Sequence, residues 1–117
     1  MSGSTSYPQL QKEVLHRMAE LGRAIPGPMQ GFKALHDATV RSGALSEKTK
    51  ELIALGIAIA VHCEGCIACH VHDALKHGAT REEIAETVAV AVMMGGGPAV
   101  VYGSMAMAAV EQFQREA

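Results

Sequence analysis

The chain is short, aliphatic and close to electrical neutrality. It has 117 residues, of which 49% are hydrophobic and only 3% aromatic, and its formal net charge is -2 at pH 7. This length predicts a single domain over residues 1–117 with a modest aliphatic core, and the balanced charge, without a basic stripe, excludes a nucleic-acid ligand.

The N-terminal segment has no apolar stretch long enough for a secretory signal, and no run approaches the roughly 20 apolar residues of a membrane span. We therefore expect a cytoplasmic protein that binds no membrane, with residues 1–5 disordered. Three cysteines within one short segment also differ from the even-numbered, widely spread cysteines of a secreted disulfide framework.

Apolar residues at helical spacing predict two helices in the first part of the chain. The first begins at Ser6 and Pro8 and ends at Pro26-Gly27-Pro28. The second is short and amphipathic, continuing from Met29 until Ser42-Gly43 ends it.

A third helix follows, with Ser46 as its N-cap and Glu47 in the first turn, where the helix dipole favours an anion. The run Leu52–Val61 is apolar on nearly every side. This pattern predicts a buried helix.

Residues 63–65 are predicted to form a turn that leads into a fourth helix with two different faces. One stripe carries polar and reactive side chains: Cys66, His70, Asp73 and His77. The other stripe is apolar and predicted to face the core: Ile67, Val71, Ala74 and Leu75.

Two further helices complete the chain. Thr80 and Glu83 form a capping box for a fifth helix that runs through Met94. Gly95-Gly96-Gly97-Pro98 then breaks the chain, and Ala99–Gln114 is predicted as a sixth helix with so little polar surface that we expect it to pack against another subunit. No segment alternates as a strand would, so the fold class is predicted to be all-α.

The segment His62–His70 concentrates the reactive residues. Cys63 and Cys66 lie one helical turn apart at the entry to a helix, where free backbone N–H groups favour a thiolate. His70 follows Cys66 by four residues and shares its helix face. A thiol, a nearby base and a second thiol are what peroxide or disulfide reduction requires.

Other interpretations of this segment stay open. A zinc site would draw on its cysteines and histidines, although no second ligand pair is present elsewhere. Residues 66–70 also satisfy the CxxCH pattern of covalent haem, and the three cysteines could hold an iron–sulfur cluster. Cys69 can equally be an inert buried thiol, and His62 and His72 are near enough to tune the reactive pair.

Glu51 begins the apolar part of the third helix and has two interpretations. It can be a solvated glutamate in the first turn, or a carboxylate that orients and charges the histidine. Counted along ideal straight helices, Glu51 would lie nearer to His77 than to His70.

Taken together, Glu51, Cys63, Cys66 and His70 resemble the signature of the alkylhydroperoxidase D-like (AhpD-like) proteins of the carboxymuconolactone decarboxylase superfamily. That signature is a glutamate, eleven residues, CxxC, three residues and a histidine, and every spacing is met here. The similarity extends over Leu45–Phe113. It implies an AhpD-like bundle of about six helices.

The resemblance also implies a mechanism. Glu51 acts through His70 to deprotonate Cys66, which attacks the hydroperoxide, and Cys63 resolves the sulfenic acid into a disulfide. Family members reduce alkyl hydroperoxides or a partner peroxiredoxin with dihydrolipoamide-type or other thiol reductants, and short members form homo-oligomers, as trimers or hexamers. No cofactor and no metal are expected.

The chain departs from the family pattern at two places. Some peroxidase members have a histidine where this chain has Gly65, and Cys69 is an additional thiol one turn beyond Cys66. Two alternative functions follow from the same fold: a carboxymuconolactone decarboxylase-like lyase, which needs proton transfer and no thiols, and a non-enzymatic, stress-related binding protein.

Overall fold

A computed structural model describes residues 5–116, which form six α-helices and no strand. The helices are α1 (Tyr7–Ala24), α2 (Pro26–Val40), α3 (Glu47–Ala60), α4 (Glu64–Lys76), α5 (Arg81–Gly95) and α6 (Gly97–Glu116). The predicted all-α fold class is confirmed. Of residues 1–5, expected to be disordered, residues 1–4 lie outside the described range, while the carbonyl of Thr5 accepts a hydrogen bond from the Gln112 side chain at 3.0 Å.

Hydroxyl side chains explain where three of the helices begin. Ser6 and Ser46 each accept a hydrogen bond from the backbone N–H three residues later, which satisfies a donor that has no partner within the helix. The capping box at α5 is confirmed: the Glu83 carboxylate accepts the N–H of Thr80 at 2.9 Å, and the Thr80 hydroxyl accepts the N–H of Glu83 at 3.1 Å.

The interruptions between helices that were predicted at Pro26 and Pro98 are each only one residue long. Pro26 is the first residue of α2, and Ile25 alone separates α1 from α2, so α2 is not a short helix but has 15 residues. Likewise Gly96, with φ of 70°, alone separates α5 from α6, and Pro98 lies in the first turn of α6. Proline is tolerated in a first turn because the backbone N–H it lacks would have no helical partner there.

The core lies among α3, α4, α5 and α6, with α1 packed against α4. Its largest fully buried side chains are aliphatic: Leu55, Ile59, Ile67, Val71, Ile84 and Val110. The prediction that α3 is buried is wrong for one face of the helix, because Ile53 and Ile57 are 48% and 57% exposed. α3 packs on α4 and α5 with one face and leaves the opposite face uncovered.

Apolar side chains are also exposed on other helices. α2 has no buried residue, and Phe32 and Leu35 are 53% and 63% exposed, while Met94 at the end of α5 is 77% exposed. Where such exposed apolar surface is contiguous, it is typical of sites at which another molecule packs. None of the described helices combines the length and hydropathy needed to cross a bilayer.

Candidate functional site

The two cysteines of the CxxC motif lie at the start of α4. α3 ends at Ala60, and a three-residue turn places Cys63 as the N-cap of α4. Cys63 and Cys66 are joined by a disulfide, with Cα atoms 5.2 Å apart. The reactive pair therefore stands where α4 presents the free N–H groups of its first turn.

The two sulfurs have different surroundings. Cys66 is exposed, whereas Cys63 is half-buried. The backbone N–H of Cys66 donates a hydrogen bond to Sγ of Cys63 at 3.2 Å. Once the disulfide is reduced, the helix N-terminus therefore favours negative charge on Sγ of Cys63, and His70 follows Cys66 by four residues along the same helix.

Glu51 and His70 form a hydrogen-bonded pair between α3 and α4. Oε1 of Glu51 lies 2.8 Å from Nδ1 of His70, and the glutamate side chain is only 3% exposed. An ionised carboxylate can only accept, so this bond places the ring proton on Nδ1 and leaves Nε2 as the basic nitrogen of a neutral imidazole. Glu51 is thus not the solvated surface glutamate that one interpretation of the sequence allowed.

The expectation that Glu51 lies nearer to His77 is wrong because the helix ends differ from those assumed. Glu51 lies nine residues before the end of α3 at Ala60, and His70 lies six residues after the start of α4 at Glu64. These offsets correspond to about 13.5 Å and about 9 Å of helix, a difference of less than one turn. The two side chains span that difference.

Asp73 lies beside the Glu51–His70 pair, one turn further along α4. Donor atoms of Glu51, His70 and Asp73 all lie within 4.8 Å of one another, and among the described residues this is the group that could hold a metal ion. Its donors are nitrogen and oxygen, and no cysteine belongs to it. The arrangement therefore does not correspond to the zinc site considered for the cysteine segment.

Cys69 is a free thiol in a different environment from the CxxC pair. It is half-buried, and burial, together with the nearby negative charge of Asp73, raises its pKa to about 11. Cys69 is therefore a protonated and poorly nucleophilic thiol at neutral pH.

Tyr7 is a site neighbour that sequence analysis missed. Its hydroxyl donates a hydrogen bond to Oε2 of Glu64, inside the CxxC motif, at 3.0 Å, and its backbone N–H donates to Gln112 at 2.7 Å. Burial raises the pKa of Tyr7 to about 12, and the hydrogen bond with Glu64 adds to the effect. No local pattern signals a contact between residues 57 positions apart.

α1 also packs directly on the backbone of the motif. A Cβ atom added at Gly65 would lie 3.1 Å from Cγ2 of Val14, closer than an ordinary contact. Any side chain at position 65 would therefore require Val14 to shift by a few tenths of an ångström.

His62, immediately before the motif, adopts a backbone conformation rare for a residue with a side chain. Its φ is 61°, and its ring stacks on Tyr102 of α6, with centroids 4.7 Å apart and planes 8° from parallel. Such outliers are concentrated at functional sites, where the surrounding structure holds them. Through this stacking contact, the turn before Cys63 packs against α6.

A groove of about 520 Å³ runs between α1 and α2. Most of its lining side chains are apolar, among them Leu15, Met18, Met29 and Phe32, and it reaches Asp73 of α4. Its size is that of a site for a small organic molecule. The groove therefore brings apolar surface to the edge of the Glu51–His70–Asp73 cluster.

Comparison with known proteins gives consistent matches. The model of the carboxymuconolactone decarboxylase family matches residues 26–111. An uncharacterized protein of Cupriavidus necator is 40% identical over 96 residues, which cover 82% of this chain and 85% of that protein. Uncharacterized protein 4 of the cox locus of Paracoccus denitrificans is 36% identical over 95 residues, covering 81% and 86%.

Two solved structures are similar along most of their length. A carboxymuconolactone decarboxylase family protein from Legionella pneumophila, crystallised in its apo form, is 42% identical with a TM-score of 0.89, covering 94% of this chain and 98% of that one. A protein from Thermotoga maritima, for which a part in the antioxidative response has been suggested, is 28% identical with a TM-score of 0.82, covering 90% of each chain.

Proposed function

This chain belongs to the carboxymuconolactone decarboxylase family, and we propose that within it the protein is a thiol-dependent peroxidase of the AhpD-like type. The observation that carries the proposal is the position of the Cys63–Cys66 pair at the N-terminus of the helix that also carries a histidine held by a buried glutamate. A disulfide-forming pair, a base and a group that orients the base then share one site.

The oxidative half of the proposed reaction begins at Cys66. His70 takes the proton of the Cys66 thiol, and the thiolate attacks the terminal oxygen of the hydroperoxide. The O–O bond breaks, the alcohol leaves with a proton from His70, and Cys66 is oxidised to a sulfenic acid. Cys63 attacks this sulfur, water leaves, and the disulfide forms. Glu51 keeps His70 in the required tautomer and stabilises its charged form.

The apolar groove between α1 and α2 supports an organic hydroperoxide as the substrate, because it offers apolar surface for an alkyl group. The cycle is completed by a thiol reductant of the dihydrolipoamide type or another thiol, and the resemblance to the AhpD-like proteins adds a peroxiredoxin as the protein partner. Proton transfer by the Glu51–His70 pair alone would also suit a lyase, but that reaction has no use for the two thiols.

Counting thiols tests the proposal. The reduced protein has three cysteines, and one equivalent of an alkyl hydroperoxide under anaerobic conditions is expected to consume two thiols and leave the one at Cys69. An alkylating reagent followed by mass spectrometry counts the thiols. A count of three after treatment would contradict the peroxidase and favour the lyase or the non-enzymatic binding protein.

We also propose that the protein is a homo-oligomer, a trimer or hexamer. The exposed apolar faces of α2, α3 and α5 support this, because a single chain leaves them in water. Light scattering at micromolar protein is expected to give a mass at least threefold the monomer's 12.3 kDa. A monomeric mass under these conditions would contradict the proposal.

A further inference from the structure

We propose that, when the disulfide is reduced, the incoming thiol attacks Cys66 and Cys63 leaves. This inference rests on the proposed function, since it concerns the second half of the same cycle. The inference gives the two sulfurs different roles: Cys66 is the sulfur that is attacked, and Cys63 is the leaving group. Two independent observations carry it, the exposure of the two cysteines and the hydrogen bond at the helix N-terminus.

The first observation is access. Thiol–disulfide exchange needs the attacking sulfur to approach along the S–S axis, so the more accessible sulfur is attacked more often. Cys66 is exposed and Cys63 is half-buried. This difference between the two residues favours attack by an external thiol at Cys66 over attack at Cys63.

The second observation concerns the leaving group. A thiolate leaves faster when its negative charge is stabilised. Sγ of Cys63 is the N-cap atom of α4 and accepts the N–H of Cys66 at 3.2 Å, so charge that develops on Cys63 is met by a hydrogen bond and by the positive end of the helix. Glu64 is the nearest carboxylate in sequence, and Oε2 of Glu64 accepts the hydroxyl of Tyr7.

In the proposed reduction of the disulfide, every bond that forms is matched by one that breaks. The reductant thiolate forms a bond to Sγ of Cys66, the Cys63–Cys66 bond breaks, and its electron pair leaves on Cys63. With a dithiol reductant, the second thiol then attacks the mixed disulfide, the reductant leaves as a disulfide, and Cys66 is released as a thiolate. Two electrons pass from the dithiol to the protein, and the two protons of the dithiol end on Cys63 and Cys66.

It follows that Cys66 meets both the peroxide and the reductant, whereas Cys63 exchanges bonds only with Cys66. Cys63 is the resolving thiol in one direction and the leaving thiol in the other. The same hydrogen bond from the N–H of Cys66 favours Cys63 as the leaving thiolate during reduction, and during resolution it raises the fraction of Cys63 that is present as thiolate.

The test traps the mixed disulfide. Oxidised protein carrying Cys69→Ser is mixed with glutathione and quenched with N-ethylmaleimide, which blocks the released thiolate before it can re-form the disulfide. Fragmentation mass spectrometry then locates both labels. We expect glutathione on Cys66 and maleimide on Cys63, in at least about tenfold excess over the reverse pattern.

An equal distribution, or glutathione mainly on Cys63, would overturn the inference. Oxidised protein that retains Cys69 is the matched control and is expected to give the same distribution, because Cys69 is half-buried and outside the pair. The test uses no hydroperoxide. Label on Cys66 in a protein that consumes no thiols with hydroperoxide would therefore support this inference and contradict only the proposed peroxidase.

Discussion

The Cys66→Ser variant is expected to lose hydroperoxide-driven disulfide formation altogether. Serine keeps the size of the side chain, but its hydroxyl is not ionised at neutral pH and is a far weaker nucleophile toward peroxide oxygen. The Cys63→Ser variant is expected to fail at a later step than Cys66→Ser. Its Cys66 still reacts, but we expect the reaction to stop at the sulfenic acid, because Cys63 is absent and the raised pKa of Cys69 keeps that thiol protonated. Mass spectrometry after addition of dimedone, which labels sulfenic acids, distinguishes the two variants.

Cys69→Ser is the matched control for both substitutions. Because burial and Asp73 raise the pKa of Cys69 to about 11, this thiol contributes almost no thiolate at neutral pH. The variant is therefore expected to form its disulfide at the wild-type rate. A Cys66→Ser protein that still consumed hydroperoxide, together with an inactive Cys69→Ser protein, would move the chemistry from Cys66 to Cys69.

The His70→Gln variant is expected to form the disulfide about 10²- to 10⁴-fold more slowly than wild type at the acid end of the range, the usual contribution of a general base. Glutamine can still donate to Oε1 of Glu51, so the buried carboxylate keeps a partner and the fold is expected to survive. The defect should shrink as pH rises toward the ordinary thiol pKa of about 8.5, because hydroxide then replaces the missing base. Stopped-flow thiol oxidation from about pH 6 to about pH 9 measures this profile.

Glu51→Gln should show a weaker defect with the same pH dependence, since Glu51 acts on the thiol only through His70. Glutamine at this position can still contact Nδ1 of His70, but it does not stabilise the charged ring. A rate for His70→Gln equal to wild type at the acid end would remove His70 from the mechanism. A defect of Glu51→Gln that is independent of pH would indicate a structural role for the buried carboxylate instead.

Much of the fold could be predicted because its signals are local. The caps at Ser6, Ser46 and Thr80 are satisfied within one turn, and each marks a helix start in the structure. The prediction of a longer break at Pro26 was wrong because the signal there is not local. Proline is compatible both with a break and with a first turn, and only the packing of α1 against α2 decides between them.

The candidate site was predictable only in part. The resemblance to the AhpD-like signature indicated the Glu51–His70 pair, whereas counting along straight helices favoured His77, and the structure places Glu51 and His70 in hydrogen-bond contact. The contacts of Tyr7 with Glu64 and of His62 with Tyr102 were not predictable, because they depend on how α1 and α6 pack around α4. Periodicity describes one helix at a time and carries no information on which helices meet.

The placement of the aromatic residues has an optical consequence. The chain has two tyrosines and no tryptophan, so its intrinsic ultraviolet emission comes from tyrosine alone. Tyr7 is hydrogen-bonded to Glu64, one of the two residues between the cysteines, and Tyr102 is stacked on His62, the residue before them. Both fluorophores therefore stand beside the sulfur pair. The unlabelled protein carries its own optical probe of that neighbourhood, and the two redox forms can be compared without attaching a dye.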